Sequence, residues 1–218
     1  MNRRVVYIPG IGADQRAFSQ LNVLGNYTHV YANWLSLKNP GESFDAYCRR
    51  LVEHYCITKD DILIGLSFGG LVAQKIASSL GNTKVVLVSS FRNSSDLKLL
   101  WKYCLRLKLH VVLPSGQIPL LPEVASAFLH SWRRKNSQVL KEMLKDADFK
   151  LIKWSLKQIN QVDLVADYRP QFLSLIGDRD LLIRSWGAAP IKKGTHFMIY
   201  HKAASCKRLI DAYIQGEV

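Results

Sequence analysis

Short, continuously apolar runs alternate along this chain with longer stretches whose apolar positions recur every three to four residues. Arg4 to Ile8 reads as a strand stopped by Pro9, and further strands are expected at His29 to Ala32, 61 to 65, Val85 to Val88 and Phe172 to Ile176, with a weak sixth at Ala189 to Ile191. Between them, Asp14 is placed to cap a short helix from Gln15 to Leu21. Ser43 can cap a helix to about Tyr55, in which Phe44, Tyr47, Leu51, Val52 and Tyr55 share one face. An apolar helical segment from Leu71 to Leu80 is closed by Gly81-Asn82, and Lys202 to Ile214 forms a last helix. Strands without polar alternation are buried on both faces. The pattern therefore predicts an α/β fold: a mostly parallel sheet of about six strands with helices on both sides.

Residues 91 to 168 break the alternation. Trp101, Trp132 and Trp154 sit there in helical patterning, and thirteen of the 30 Lys and Arg residues fall in the stretch. It is expected to be a helical insertion, placed between two strands where it can cover the carboxyl end of the sheet as a lid. At 218 residues and 48% hydrophobic content the chain supports one core, so residues 1 to 218 are taken as a single domain carrying this insertion. No run of about 18 apolar residues exists, so no membrane span is expected. The apolar run after Arg3-Arg4 is too short for a signal peptide, which predicts a cytoplasmic protein. Cys48, Cys56, Cys104 and Cys206 show no C-x-x-C or metal-ligand spacing and are expected to be buried free thiols.

The net charge of +13 raises the question of an anionic partner. The basic residues are spread through predicted helices with no zinc-finger spacing, RNP-like aromatics or basic arm, so no specific nucleic acid is expected.

The densest chemical signal is Asp61-Ile-Leu-Ile-Gly-Leu-Ser-Phe-Gly-Gly70. A buried strand runs into Gly65-Leu66-Ser67-Phe68-Gly69 and a helix leaves it. In so sharp a strand-to-helix turn the central serine is held at the sheet edge in strained geometry, with the helix N-terminus behind it. G-x-S-x-G alone is a weak motif, and its context of strand before and helix after gives it weight. A serine hydroxyl needs a base to take its proton. His196, in the loop Lys193-Gly194-Thr195-His196-Phe197, qualifies; His201 falls at a helix start, and His29, His54, His110 and His130 lie in elements or in the insertion. The base needs a carboxylate, and Gly177-Asp178-Arg179-Asp180 offers two after a strand. Asp180 lies far enough round the turn to face the histidine; Asp178 is better suited to bonding backbone N–H groups within it. Both could equally be ordinary turn aspartates. An oxyanion site needs two donors: the Phe68 N–H comes with the turn, and the Ile11 N–H is the second candidate, in the loop Pro9-Gly10-Ile11-Gly12.

In this order, Pro-Gly-Ile-Gly-Ala-Asp (9 to 14), Gly-Leu-Ser-Phe-Gly-Gly (65 to 70), Gly-Asp-Arg-Asp (177 to 180) and Gly-Thr-His-Phe (194 to 197) resemble the alpha/beta-hydrolase superfamily along nearly the whole chain. Within it the chain resembles small bacterial serine hydrolases that open on Pro-Gly-x-Gly-Ala-Asp. The resemblance implies an alpha/beta-hydrolase fold with a helical lid, a triad of Ser67, Asp180 and His196, oxyanion donors Ile11 and Phe68, no metal or organic cofactor, and a small ester or thioester substrate. A hydroxynitrile-lyase type of reaction on the same triad, or a non-catalytic binder on the same fold, are the other readings. Pro9 stands where the family usually has His, which bears on the oxyanion loop, and the first strand corresponds to the family's third, which narrows the sheet.

The basic insertion residues Lys98, Lys102, Arg106, Lys108, Arg133, Arg134 and Lys135 would favour an anionic or carrier-linked substrate if they steer it; otherwise they are solvated surface. Screening length shrinks from about 10 Å at 0.1 M salt to about 3 Å at 1 M. The solvated-surface reading predicts parallel salt responses of kcat/KM for an anionic and a neutral ester of equal length. A fall confined to the anionic ester would give these residues a steering role.

Overall fold

The computed structural model describes residues 3–21, 26–81, 84–92, 96–98, 134–161, 172–184 and 190–216. Among them five strands form one parallel sheet: β1 (Arg4–Ile8), β2 (Thr28–Tyr31), β3 (Ile62–Leu66), β4 (Val85–Val88) and β5 (Phe172–Leu175), in the spatial order β2-β1-β3-β4-β5. β1 is the first strand laid between two neighbours, with Val5 opposite Ile62 on one side and His29 on the other. The expected sixth strand is not a strand among these residues. Only Ile191 pairs, in a single parallel bridge with Gly177; Ala189 lies outside the described residues. A glycine, a histidine loop and a turn follow so closely there that the chain leaves the sheet after one residue.

Alternation along the strands divides the core in two. Val5, Tyr7, Ile62, Ile64, Leu66, Val86, Val88, Leu173 and Leu175 face one layer. It is built from the short 3-10 turn Gln15–Phe18 and from α5 (Met198–His201) and α6 (Ala203–Gln215). Val6, Ile8, Leu63, Val85 and Leu87 face the other, built from α1 (Phe44–Tyr55) and α2 (Phe68–Leu80). The caps follow from the sequence. Ser43 Oγ accepts the Ala46 N–H at 3.2 Å, Asp14 accepts the Arg16 N–H at 2.8 Å, and α2 ends on Gly81 at φ 78°. At the amino end of the sheet, buried Asp61 receives Arg4 Nε and Nη2 at 3.0 and 2.8 Å. That pair ties β1 to the turn before β3.

Two helices of the expected insertion are described, α3 (Arg134–Asp146) and α4 (Phe149–Gln161). Trp101, Trp132, Lys102, Arg106, Lys108 and Arg133 lie outside the described residues. Leu140, Met143 and Leu144 of α3 join the first core layer, while Leu151, Trp154 and Ile159 of α4 join the second. The hairpin thus reaches both faces of the sheet. Its junction rests on the loop after β1: a Cβ added at Gly12, where φ is 66°, would meet Leu144 Cδ2 at 2.6 Å and Ala147 Cβ at 3.8 Å. Trp154 anchors α4 by packing on Tyr47, Phe44 and Phe68, with ring centroids 4.7, 6.3 and 6.1 Å away, and by donating its indole N–H to Glu42 O at 2.7 Å. The Glu42 carboxylate in turn holds Arg50 at 2.7 Å.

Cys48 and Cys206 are buried free thiols as expected, but Cys56 is exposed. It ends α1 in the left-handed conformation at φ 49°, outside the apolar face that buries its neighbours. Cys104 lies outside the described residues. Among the described residues no helix is long and apolar enough to cross a membrane.

Truncating a buried aromatic costs about 3–5 kcal/mol. Trp154→Ala should lower unfolding free energy in urea by that amount, because it also strands the Glu42 carbonyl. A loss under about 1 kcal/mol would show that the α3–α4 hairpin is held elsewhere.

Candidate active site

The turn between β3 and α2 places Ser67 at φ 51° and ψ −119°, outside the regions a serine ordinarily occupies. Backbone contacts on both sides hold it there. A Cβ at Gly65 would lie 2.5 Å from Gly69 O and Gly70 Cα, and one at Gly69 would collide with the carbonyl oxygens of Ile8 and Pro9. Hydrogen bonds complete the lock: the Ser67 N–H donates to Val88 O at 2.9 Å, and Ser67 O accepts the Gly70 N–H at 2.9 Å and the Ser90 hydroxyl at 2.7 Å. Ser89, between β4 and that hydroxyl, is itself left-handed at φ 45°, which turns the chain at the end of β4 toward the elbow.

The structure brings Ser67, His196 and Asp180 into one hydrogen-bonded line. His196 Nε2 is 2.9 Å from Ser67 Oγ, and His196 Nδ1 is 2.9 Å from Asp180 Oδ2. A carboxylate can only accept, so Nδ1 carries the proton and Nε2 is left to accept from the serine hydroxyl. Asp180 and His196 are 1% and 6% exposed. Asp178, the other candidate, is exposed, and its N–H donates to Ile191 O at 3.2 Å. The turn-bonding expected of Asp178 is done by Asp180 itself, whose Oδ1 accepts the N–H groups of Leu182 at 2.8 Å and Ile183 at 3.1 Å.

The acid turn and the histidine loop are joined backbone to backbone. A Cβ on Gly177 would collide with the Gly194 carbonyl, the Arg179 N–H donates to Gly194 O at 2.9 Å, and Lys193 takes φ 57° to let the loop close. His201, set aside as a base, supports this loop instead. Its Nε2 lies 2.8 Å from Thr195 Oγ1, next to His196. The acid turn is also fastened to the start of the insertion, where Leu97 bridges Ile183 antiparallel, the Lys98 N–H donates to Leu182 O at 2.9 Å, and the Lys98 ammonium donates to the Asp180 carbonyl. Ser90, Lys98 and His201 carried no local signal in the sequence, since each acts on a residue far away or through a backbone carbonyl.

Of the two candidate oxyanion donors, Phe68 begins α2 and is fully buried, and Ile11 lies in the loop after β1. Gly10 abuts the elbow: its missing Cβ would sit 3.4 Å from Ser67 Cβ. Neither the Ile11 nor the Phe68 N–H has a protein acceptor among the described residues. Pro9 continues β1 directly into this loop, and its carbonyl is one of the two against Gly69. Beyond the loop a cavity of about 270 Å³ opens between residues 12–14, residues 33–36 and the α3–α4 junction. Asp14, Asp146 and Asp148 are its charged lining residues, and Ser67, His196 and Asp180 do not line it. Among the described residues no group of three or more His, Cys, Asp or Glu is arranged to hold a metal ion.

No family model and no curated protein sequence matches the chain. Solved structures do resemble it. MenH from S. aureus superposes with a TM-score of 0.72 at 16% identity over 100% of this chain and 95% of its own. A hydrolase from Pseudomonas aeruginosa PA01 gives 0.73 at 16% over 98% and 90%, and the enol-lactonase from Burkholderia xenovorans LB400 gives 0.68 at 13% over 99% and 92%. The fold is that of the alpha/beta hydrolases. Within this fold every described strand is parallel and the serine turn follows the central strand.

Burial alone would push the Asp180 carboxyl up. The positive charge His196 can carry, the hydrogen bond from it and the two backbone N–H groups outweigh burial and hold it below the usual value of 3.8. A carboxylate lowered in the folded state adds stability above its ordinary value and loses it as pH falls through the lower folded value. The melting temperature of the wild type should therefore exceed that of Asp180→Asn most near neutral pH, and the gap should shrink as pH drops below 3.8. A gap that stays constant or widens in acid would contradict this electrostatic account.

Proposed function

We propose that the chain is a serine hydrolase that cleaves a carboxylic ester or thioester through an acyl-enzyme. The observation that carries the reading is the 2.9 Å contact between Ser67 Oγ and His196 Nε2 on a strained elbow, with Asp180 buried behind the imidazole. A strained backbone and a buried carboxylate–imidazole pair are both costly to a fold, and they coincide here at one hydroxyl.

In the proposed mechanism Ser67 Oγ attacks the acyl carbon while His196 Nε2 takes its proton. The oxyanion that forms accepts hydrogen bonds from Ile11 and Phe68 N–H. Collapse expels the alcohol or thiol, which takes the proton back from His196, and leaves the acyl group on Ser67. Water then repeats the sequence, with His196 again as base, and releases the acid and free serine. Asp180 keeps the imidazole in the reactive tautomer and stabilises its cation; it does not itself take the proton. All atoms and charges balance with these groups alone.

The names of the similar structures, a hydrolase and an enol-lactonase among them, agree with a substrate of the ester class, since a lactone is a cyclic ester. Residues 91 to 168 are proposed as the lid over this site. What supports it is the position of the α3–α4 junction against Gly12 and of Trp154 against Phe68. Among the described residues the cavity beside the loop is lined by three carboxylates, two of which, Asp14 and Asp146, are paired with Arg16 at 2.6 and 2.7 Å.

The test is turnover across p-nitrophenyl esters of rising chain length. Ser67→Ala and His196→Ala should each lower kcat by on the order of 10³ to 10⁶ and Asp180→Asn by roughly 10⁴, with folding intact by circular dichroism. Full activity in folded Ser67→Ala would remove the nucleophile from the account. Activity lost in Asp178→Asn and kept in Asp180→Asn would move the acid.

A further inference from the structure

One side chain, Trp34, touches both segments that carry the candidate oxyanion donors, at the Gly10 carbonyl and at the Phe68 ring. It follows β2, the neighbour of β1, and its indole N–H donates to Gly10 O at 2.9 Å. The same carbonyl accepts the Ala13 N–H at 3.1 Å, so its direction is set from two sides. No peptide bond among the described residues is cis. In a trans peptide the carbonyl and the following N–H point in opposite directions across one rigid plane. Fixing Gly10 O therefore fixes the Ile11 N–H, turned away from Trp34 and without a protein acceptor among the described residues. Meanwhile the Trp34 ring lies 5.7 Å from the Phe68 ring and 6.2 Å from the Tyr47 ring. Tyr47 in turn exchanges hydrogen bonds with the Leu35 N–H at 3.0 Å and the Leu35 carbonyl at 2.8 Å, which holds the segment that carries Trp34.

From this arrangement we infer that Trp34 is a positioning residue for transition-state stabilisation: through the Gly10–Ile11 peptide it aims the Ile11 N–H, and through its ring it steadies Phe68, so that both donors converge on one oxygen. The inference rests on the serine-hydrolase reading. Such donors act only once the oxyanion exists, so Trp34 affects the rate of the chemical step and not ground-state binding. A glycine at position 10 makes the need for the indole clear. With no side chain at that position, the peptide plane is held by the indole and the Ala13 N–H, and a Cβ there would make only ordinary contact, 3.4 Å from Ser67 Cβ.

The experiment compares wild type, Trp34→Phe and the isosteric replacement of Trp34 by benzothienylalanine, which keeps the ring volume and removes only the N–H. Active sites are titrated with a fluorophosphonate so that rates refer to intact Ser67. For a p-nitrophenyl ester, kcat should fall about 10- to 100-fold in both variants with KM within about twofold, a smaller loss than deleting a donor outright. Inhibition by a trifluoromethyl ketone, which adds to the serine and presents an oxyanion, should weaken by the same factor as kcat/KM. A merely structural role would lower the fraction of titratable sites and leave kcat per site and ketone affinity unchanged, and that result overturns the inference while the serine mechanism stands. A wild type with neither turnover nor labelling overturns both.

Discussion

The site depends on one close packing of backbone against backbone. Because Gly69 sits directly on the carbonyls of Ile8 and Pro9, and Gly65 on the Gly69–Gly70 backbone, α2 is pressed against β1 and β3 more closely than any side chain would allow. That approach carries the Ser67 hydroxyl above the sheet, brings Gly10 against it and points the start of α2 at the same place. The strain of a serine at φ 51° is tolerated because the hydrogen bonds to Val88, Gly70 and Ser90 and the buried face of α2 all require it. A second contact of the same kind, Gly177 against Gly194, joins the acid turn to the histidine loop. The two glycine contacts together set the distances in the Ser67–His196–Asp180 line.

Around these contacts the aromatic side chains act as the stiffener. Trp34, Phe44, Tyr47, Phe68 and Trp154 pack from the segment after β2, from α1, from α2 and from α4. Phe68, the residue following Ser67, is therefore the meeting point of the loop side and the insertion side of the molecule. Packing of this density transmits displacement instead of absorbing it.

Much of this was legible in the sequence, for physical reasons that differ by element. Val85 to Val88 is bounded correctly because an uninterrupted apolar run between polar turns has few alternatives in a parallel sheet. Ser67 and its glycines could be read because a tight strand-to-helix turn needs small residues at fixed spacing, which is a local requirement. Asp180 and His196 were reachable from chain order and loop position, and the fold places their side chains together. The assignment of turn-bonding to Asp178 missed that one carboxylate can serve both the turn and the imidazole, each with its own oxygen. Of the sixth strand, only Ile191 pairs among the described residues, in a single bridge, and Cys56 proved exposed because a helix end, not the apolar face, determines its place. Trp34, Ser90, Lys98 and His201 were silent, since their partners are backbone atoms or residues that only the fold brings near, and neither periodicity nor motif records such pairs.

The central claim is that Ser67 is a nucleophile activated by His196, and covalent labelling tests it most directly. After exposure of the folded protein to a fluorophosphonate, peptide mass mapping should find one adduct per chain, on Ser67, formed far more slowly in His196→Ala. Labelling of another residue, or no adduct on folded protein, would contradict the account.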